Sequence, residues 1–172
     1  MTSTRRAAWL VLFVLCAGSP AAAADQVIFV VRHAERADGG APTGGMTTAA
    51  DPPLSAAGTE RAKRLAAHLA SADVKNIFTS EFARTRLTAA PLAEAAQVKP
   101  AAISSKDVAT LIQQVRAAAG NVLIVGHSNT LPDVLKQLGV KTPIAIAESE
   151  YDNLFVVVRP ATGEPTLIRL RY

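Results

Sequence analysis

Val27-Ile28-Phe29-Val30-Val31-Arg32-His33-Ala34-Glu35-Arg36 is the stretch on which the fold turns. Five apolar, mostly β-branched residues run unbroken into a guanidinium, an imidazole and a carboxylate. Such a run reads as a strand buried on both faces, the kind found inside a parallel or mixed sheet. Ligands of open α/β sheets bind beyond the carboxyl ends of the strands, which is where Arg32, His33 and Glu35 stand. A solvated charged loop would carry the same residues, so the reading needs support from the rest of the chain.

That support begins at Asn121-Val122-Leu123-Ile124-Val125-Gly126-His127, a second buried strand with a histidine at its end. Between the two runs, Ala62, Leu65, Ala66 and Leu69 recur at helical spacing after Ser55, a plausible N-cap. Asn76 to Thr79 reads as a strand ending at Ser80. A helix is expected from roughly Glu81 to Ala96, with Leu87 and Ala90 among its facing positions. Val98 to Ile103 is short and extended. Lys106 to Ala119 is helical by its Val108, Leu111, Ile112 and Val115 spacing, and Gly120 stops it. Thr130 to Leu138 is a further helix. Leu154 to Arg159 and Thr166 to Leu170 form a terminal hairpin or a pair of edge strands. Strands alternating with helices predict an α/β three-layer sandwich: a mostly parallel central sheet flanked by helices.

The first 24 residues stand apart. Arg5-Arg6, an apolar stretch from Ala7 to Ala17 and small residues at Ala21 to Ala24 read as a cleavable signal peptide, too short to span a membrane. An exported protein is expected, periplasmic or secreted, with no membrane span after cleavage and a single domain over residues 25–172. Residues 1–24 hold two of the 18 Lys and Arg, none of the 14 Asp and Glu, and the one Cys. What remains is close to neutral, at +2, which is not the footprint of a nucleic-acid binder. It has no cysteine for disulfides or thiolate metal sites. Residues 37–53, rich in Gly, Ala, Thr and Pro, read as a loop.

Three strand ends therefore deliver Arg32 and His33, Ser80 with Arg84 one helical turn on, and His127 with Ser128 and Asn129. Strands of one parallel sheet present these ends along one edge, so the groups converge. Two arginines and two histidines around a point make an anion site, since the Arg fork matches phosphate oxygens. Helix N-termini near Ser80 and Asn129 would add backbone donors. One imidazole could attack phosphorus and form a phosphohistidine that water then hydrolyses.

The same residues resemble the histidine phosphatase superfamily, which includes the phosphoglycerate mutases. Arg32-His33-Ala34-Glu35 is similar to its Arg-His-Gly-Glu signature, with Ala34 in place of Gly. Asp51-Pro52-Pro53-Leu54-Ser55-Ala56-Ala57-Gly58 matches Asp-x-x-Leu-Ser/Thr-x-x-Gly, and Ser80 to Ala89 and Gly126-His127-Ser128-Asn129 match the remaining motifs. The resemblance implies a small phosphatase domain with a minimal cap and no metal or other cofactor. It implies His33 as the residue phosphorylated, Arg32 and Arg84 as the phosphate clamp, His127 as the second pocket histidine, and a phosphorylated small molecule or other phosphoester as substrate.

The general acid is where the match departs. The mutase-like branch takes a Glu from a later loop, where this chain offers only Asp107, and Ser128 stands where the acid-phosphatase-like branch has Asp. Glu35, nearest to His33, is the preferred candidate, against a plain ion pair with an arginine. Asp51, Asp107, Asp133, Glu148 and Glu150 are the others. Ser80, Ser128 and Asn129 are candidate substrate contacts. His68 reads as a surface residue rather than the third ligand of a zinc site, and Glu148-Ser149-Glu150-Tyr151-Asp152 reads as a solvated acidic turn that could instead cap the pocket. The competing function is a degenerate module that binds a phosphorylated ligand without turnover.

Overall fold

The structure, a computed structural model, describes residues 25–39 and 51–172. The expected signal peptide and most of the expected 37–53 loop lie outside the described residues. Among those described, strands β1 (Gln26–Arg32), β2 (Val74–Thr79), β3 (Ala101–Ala102), β4 (Asn121–Gly126), β5 (Asn153–Arg159) and β6 (Thr166–Arg171) alternate with helices α1 (Ala56–His68), α2 (Ala83–Ala96), α3 (Val108–Ala117) and α4 (Leu131–Gln137). One six-stranded sheet runs β3-β2-β4-β1-β5-β6. β3, β2, β4 and β1 are parallel, and β5 and β6 are added antiparallel.

β1 is central, and its residues divide between the two faces. Ile28 and Val30 join Val122, Ile124, Phe155 and Val157 on the side covered by Ile112 and Val115 of α3 and Leu131, Val134 and Leu135 of α4. Phe29 and Val31 join Leu123, Val125 and Leu154 on the side covered by Leu65 of α1 and Ala89, Leu92 and Ala93 of α2. Burying each such side chain contributes about 1.5–3 kcal/mol, and that two-sided burial is why the sequence could not alternate with polar residues here.

Two elements differ from their sequence reading. The buried face of α2 is Thr85, Thr88, Ala89, Leu92 and Ala93, while Leu87 is exposed. The two threonines enter the core because their hydroxyls are satisfied locally, Thr85 Oγ1 donating to Phe82 O (2.8 Å) and Thr88 Oγ1 to Arg84 O (2.7 Å). The terminal pair is a hairpin, but β5 is an interior strand and only β6 is an edge.

Gly58 fixes the distance between α1 and the end of β1. Ser55 caps α1, its Oγ accepting from Gly58 N at 3.0 Å. A Cβ at position 58 would lie 2.3 Å from the Glu35 carbonyl oxygen, which itself accepts from Ser55 N at 2.9 Å. Neither backbone can yield without moving the strand end. Gly58→Ala is therefore expected to destabilise by about 1–3 kcal/mol, even though Ala is favoured over Gly in a helix by about 1 kcal/mol. A urea midpoint at or above wild type would contradict this.

Candidate active site

Register builds the site. Thr79 pairs with Val125 and Arg32 with Gly126 across β2, β4 and β1, so the residues that follow, Ser80, His127 and His33, emerge side by side at the carboxyl edge. His33 N donates to Gly126 O at 2.9 Å, extending the β1–β4 ladder one step into the site. The imidazoles of His33 and His127 then lie 5.3 Å apart, edge to face. Both are more than nine-tenths buried.

His33 Nδ1 is 2.8 Å from Ala34 O. A carbonyl only accepts, so Nδ1 carries the proton and Nε2 holds the lone pair. Ala34 is in turn fixed by its N–H donating to Thr88 Oγ1 at 2.9 Å. Burial, together with the positive charge of Arg32 and Arg84 and with His127, lowers the His33 pKa to about 3, against the Ala34 bond that favours the cation. Burial and Arg84 likewise lower His127 to about 4. His127 Nε2 is 2.9 Å from Ser80 Oγ, which also meets Thr85 Oγ1 at 2.9 Å. Both rings are thus neutral and held.

Arg84 lies in the first turn of α2. Its guanidinium stacks on Phe82 at 4.2 Å, and Phe82 meets the His127 ring edge-on at 5.4 Å. Asp51 approaches it at 3.6 Å but spends both oxygens on Ala83 N, at 2.8 and 2.7 Å. The N-terminus of α2 is therefore closed by a carboxylate and does not offer the open donor expected from sequence. Burial and the charge of Arg36 lower the Arg84 pKa. Arg36, not singled out in the sequence, lies near enough for its charge to act on Arg84 and is paired to Asp38 at 2.5 Å.

Arg32 is held by the loop before β5. Its Nη1 donates to the carbonyls of Ala147 (3.2 Å), Glu148 (2.7 Å) and Glu150 (3.3 Å), and Nη2 to Glu148 Oε2 at 2.6 Å. Tyr151 stacks on it at 4.1 Å and faces His33 at 6.1 Å. Ser128 Oγ donates to Glu148 Oε1 at 2.6 Å. The Nε groups of Arg32, Arg36 and Arg84 are buried with no hydrogen-bond partner among the described residues. Three orphaned guanidinium donors beside two neutral imidazoles make a cradle for a compact polyanion.

The preferred acid is displaced. Glu35 is gripped by Arg61 of α1, whose Nε donates to both carboxylate oxygens at 2.9 Å and Nη2 to Oε1 at 2.6 Å. Burial would raise this carboxyl, but the Arg61 bonds and charge outweigh it and hold the pKa below its usual value. With both oxygens taken by the Arg61 fork, Glu35 holds an ion-pair role in this structure. Asp107 caps α3 through Thr110 N and Asp133 accepts from Gln137. Of the candidate contacts, Ser80 and Ser128 are buried in the network, whereas Asn129 is exposed. His68 is exposed, its Nδ1 near Arg64 O. Among the described residues no three His, Cys, Asp or Glu gather around a metal-sized space. Tyr151 and Phe82 were missed because aromatic stacking on an arginine has no sequence spacing; the acidic turn at 148–152 was the visible signal.

The buried neutral histidines carry a pH signature. Their folded pKa values, about 3 and about 4, lie below the unfolded value of 6.5. The unfolded chain therefore binds more protons below pH 6.5, and the stability these groups contribute, full above it, is lost as pH falls toward 4 and 3. Between pH 7 and 5, above the carboxylate range, a loss of about 1–2 kcal/mol per histidine is expected. Urea midpoints in phosphate-free buffer would show it, and a flat profile would contradict it.

Comparison with known proteins agrees with this construction. Residues 28–106 match the family model described as histidine phosphatase superfamily, branch 1. No curated protein matches the chain significantly. Among solved structures, a protein histidine phosphatase SixA complexed with tungstate is similar over 84% of this chain and 96% of its own, at 16% identity and TM-score 0.62. A phosphoglycerate mutase from Bacillus anthracis is similar over 87% and 94%, at 15% identity and TM-score 0.64. A phosphoserine phosphatase from Entamoeba histolytica, in complex with 3-phosphoglyceric acid, is similar over 86% and 97%, at 12% identity and TM-score 0.63. At such identities these likenesses speak for the fold. The family match runs from β1 through α2, and that same segment, which supplies Arg32, His33, Ser80 and Arg84, is where the chain is similar to the histidine phosphatase superfamily.

Proposed function

We propose that this protein is an exported, metal-independent phosphomonoesterase working through a phosphohistidine on His33. The observation that carries the reading is a buried neutral His33 with its proton fixed on Nδ1 beside three arginines whose Nε donors lack partners among the described residues. His33 Nε2 attacks phosphorus, the bond to the leaving oxygen breaks, and water later displaces the phosphoryl group from nitrogen. Arg32 and Arg84 neutralise the charge on the phosphoryl oxygens as it transfers, with the neutral His127 ring beside them. Export rests on the sequence of residues 1–24. A phosphorylated sugar or an envelope phosphoester suits that location.

A binding module without turnover is the second reading, favoured by the Glu148 carboxylate already seated on Arg32 and Ser128. Hydrolysis of p-nitrophenyl phosphate, with and without EDTA and beside His33→Ala, separates the two. EDTA-resistant turnover that vanishes in the variant is expected. Phosphate binding with no turnover would favour the module, and loss of activity in EDTA would overturn the mechanism.

A further inference from the structure

We propose that Glu148 is the acid–base catalyst of the His33 site, protonating the leaving oxygen and then activating the hydrolytic water. This inference rests on the phosphatase reading above. It extends that reading to substrates with poor leaving groups, such as the alkyl phosphates of sugars and polyols.

The first ground is position. The other carboxylates near the strand ends are committed elsewhere: Glu35 to Arg61, Asp51 to the N-terminus of α2, Glu81 to Ser105 N and Oγ, Glu150 to Arg171 and Ala147 N. Glu148 alone among the candidates touches two groups of the site, with one oxygen on Arg32 Nη2 and the other on Ser128 Oγ, each at 2.6 Å.

The second ground is what Glu148 covers. Arg32 Nη1 is spent on three backbone carbonyls, and Nε has no partner among the described residues. Among the described residues, Nη2 is held by Glu148 alone. Departure of that carboxylate leaves Arg32 presenting Nε and Nη2 together, the side-on edge that matches two oxygens of one phosphoryl group. An entering phosphate therefore takes the donors that Glu148 gives up.

The third ground is mobility of the right kind. The backbone around Glu148 is anchored: Ala147 N donates to Glu150 Oε2, Arg171 binds Glu150 and Asp152, and Arg169 binds Asn153. The Glu148 side chain is nevertheless 79% exposed, so it can change rotamer without the loop moving and exchange its proton with water. At rest, the Ser128 hydrogen bond and the Arg32 charge keep it ionised, against its slight burial. Once a phosphate dianion replaces it there, both stabilising partners are lost and a negative charge stands beside it. A carboxyl in that situation takes up a proton.

The proton balance closes. Protonated Glu148 gives its proton to the leaving oxygen as His33 Nε2 bonds to phosphorus and the P–O bond breaks. Ionised Glu148 then accepts a proton from water as the water oxygen bonds to phosphorus. The P–N bond breaks and its electron pair returns to Nε2.

Glu148→Gln tests this, with kcat/KM measured on p-nitrophenyl phosphate and on β-glycerol phosphate, and inhibition by inorganic phosphate beside them. General acid catalysis is worth on the order of 100-fold or more when the leaving group is poor. The expected result is a loss of that size on β-glycerol phosphate, a much smaller loss on p-nitrophenyl phosphate, and tighter inhibition by phosphate because the competing carboxylate is gone. Glu148→Asp is expected to restore part of the β-glycerol phosphate activity. Equal losses on both esters, or no loss on either, would overturn the acid–base role while leaving the phosphatase reading intact. A wild-type protein that turns over neither ester would overturn that reading and this one together.

Discussion

Replacing His33 with alanine is expected to lower the turnover of any phosphoester by at least ~10,000-fold, the scale on which removing a covalent nucleophile acts. The expectation comes from how completely the ring is prepared. The Ala34 carbonyl fixes the proton on Nδ1, so no tautomeric change precedes attack. A pKa of about 3 keeps the ring neutral throughout the physiological range. Ala34 is fixed in turn through its N–H to Thr88, so the carbonyl that orients the ring does not drift. His127, 5.3 Å away, does not substitute, because its Nε2 is engaged by Ser80. The accompanying check is chemical: wild-type protein mixed with a phosphoester and quenched in base should carry acid-labile phosphate on His33. Activity within 10-fold of wild type in the variant, or phosphate trapped on another residue, would contradict the assignment.

Arg84→Ala is expected to lower kcat/KM by about 1,000-fold, and Arg84→Lys by about 100-fold, the range seen when one preorganised donor to a developing oxyanion is removed. Arg84 is the least encumbered of the three arginines. Arg32 has Nη1 tied to carbonyls and Arg36 is paired to Asp38 at 2.5 Å. Arg84 has only a long contact to an Asp51 that is itself capping α2, and a stacking platform in Phe82. Its fork is thus aimed and desolvated in advance. Lysine restores the charge but neither the fork nor the stacking, which is why the conservative change is still costly. Burial and the charge of Arg36 work against the Arg84 cation, with Asp51, Asp38 and Glu81 opposing them, so Arg84→Ala should cost little melting temperature. A large drop in stability with unchanged kcat/KM would make Arg84 a structural residue instead.

Much of the fold was written in local pattern. The apolar runs at Val27–Val31 and Val122–Val125 are legible because burial on both faces admits no polar alternation. Ser55 is legible as an N-cap because capping is decided within four residues. The helices were placed to within a few residues for the same reason. The face of α2 was not, since two threonines satisfied by their own helix backbone can replace leucine in a core. Nor was the interior position of β5, which depends on which edge of β1 remains after β4 has paired.

The same division runs through the site. Arg32, His33, Ser80, Arg84 and His127 could be assembled from sequence because parallel strands deliver their ends to one edge, whatever packs around them. The partner of Glu35 was not legible: Arg61 is 26 residues away, and only the close approach of α1 at Gly58 brings the two together. Glu148 is 116 residues from Arg32, so a hairpin folding back on β1 decides that they meet. The sequence by itself determined which groups lie at the strand ends, because periodicity and strand direction are local. Which carboxylate is neutralised and which faces the arginines is a contest among long-range ion pairs, and only the tertiary structure decides it.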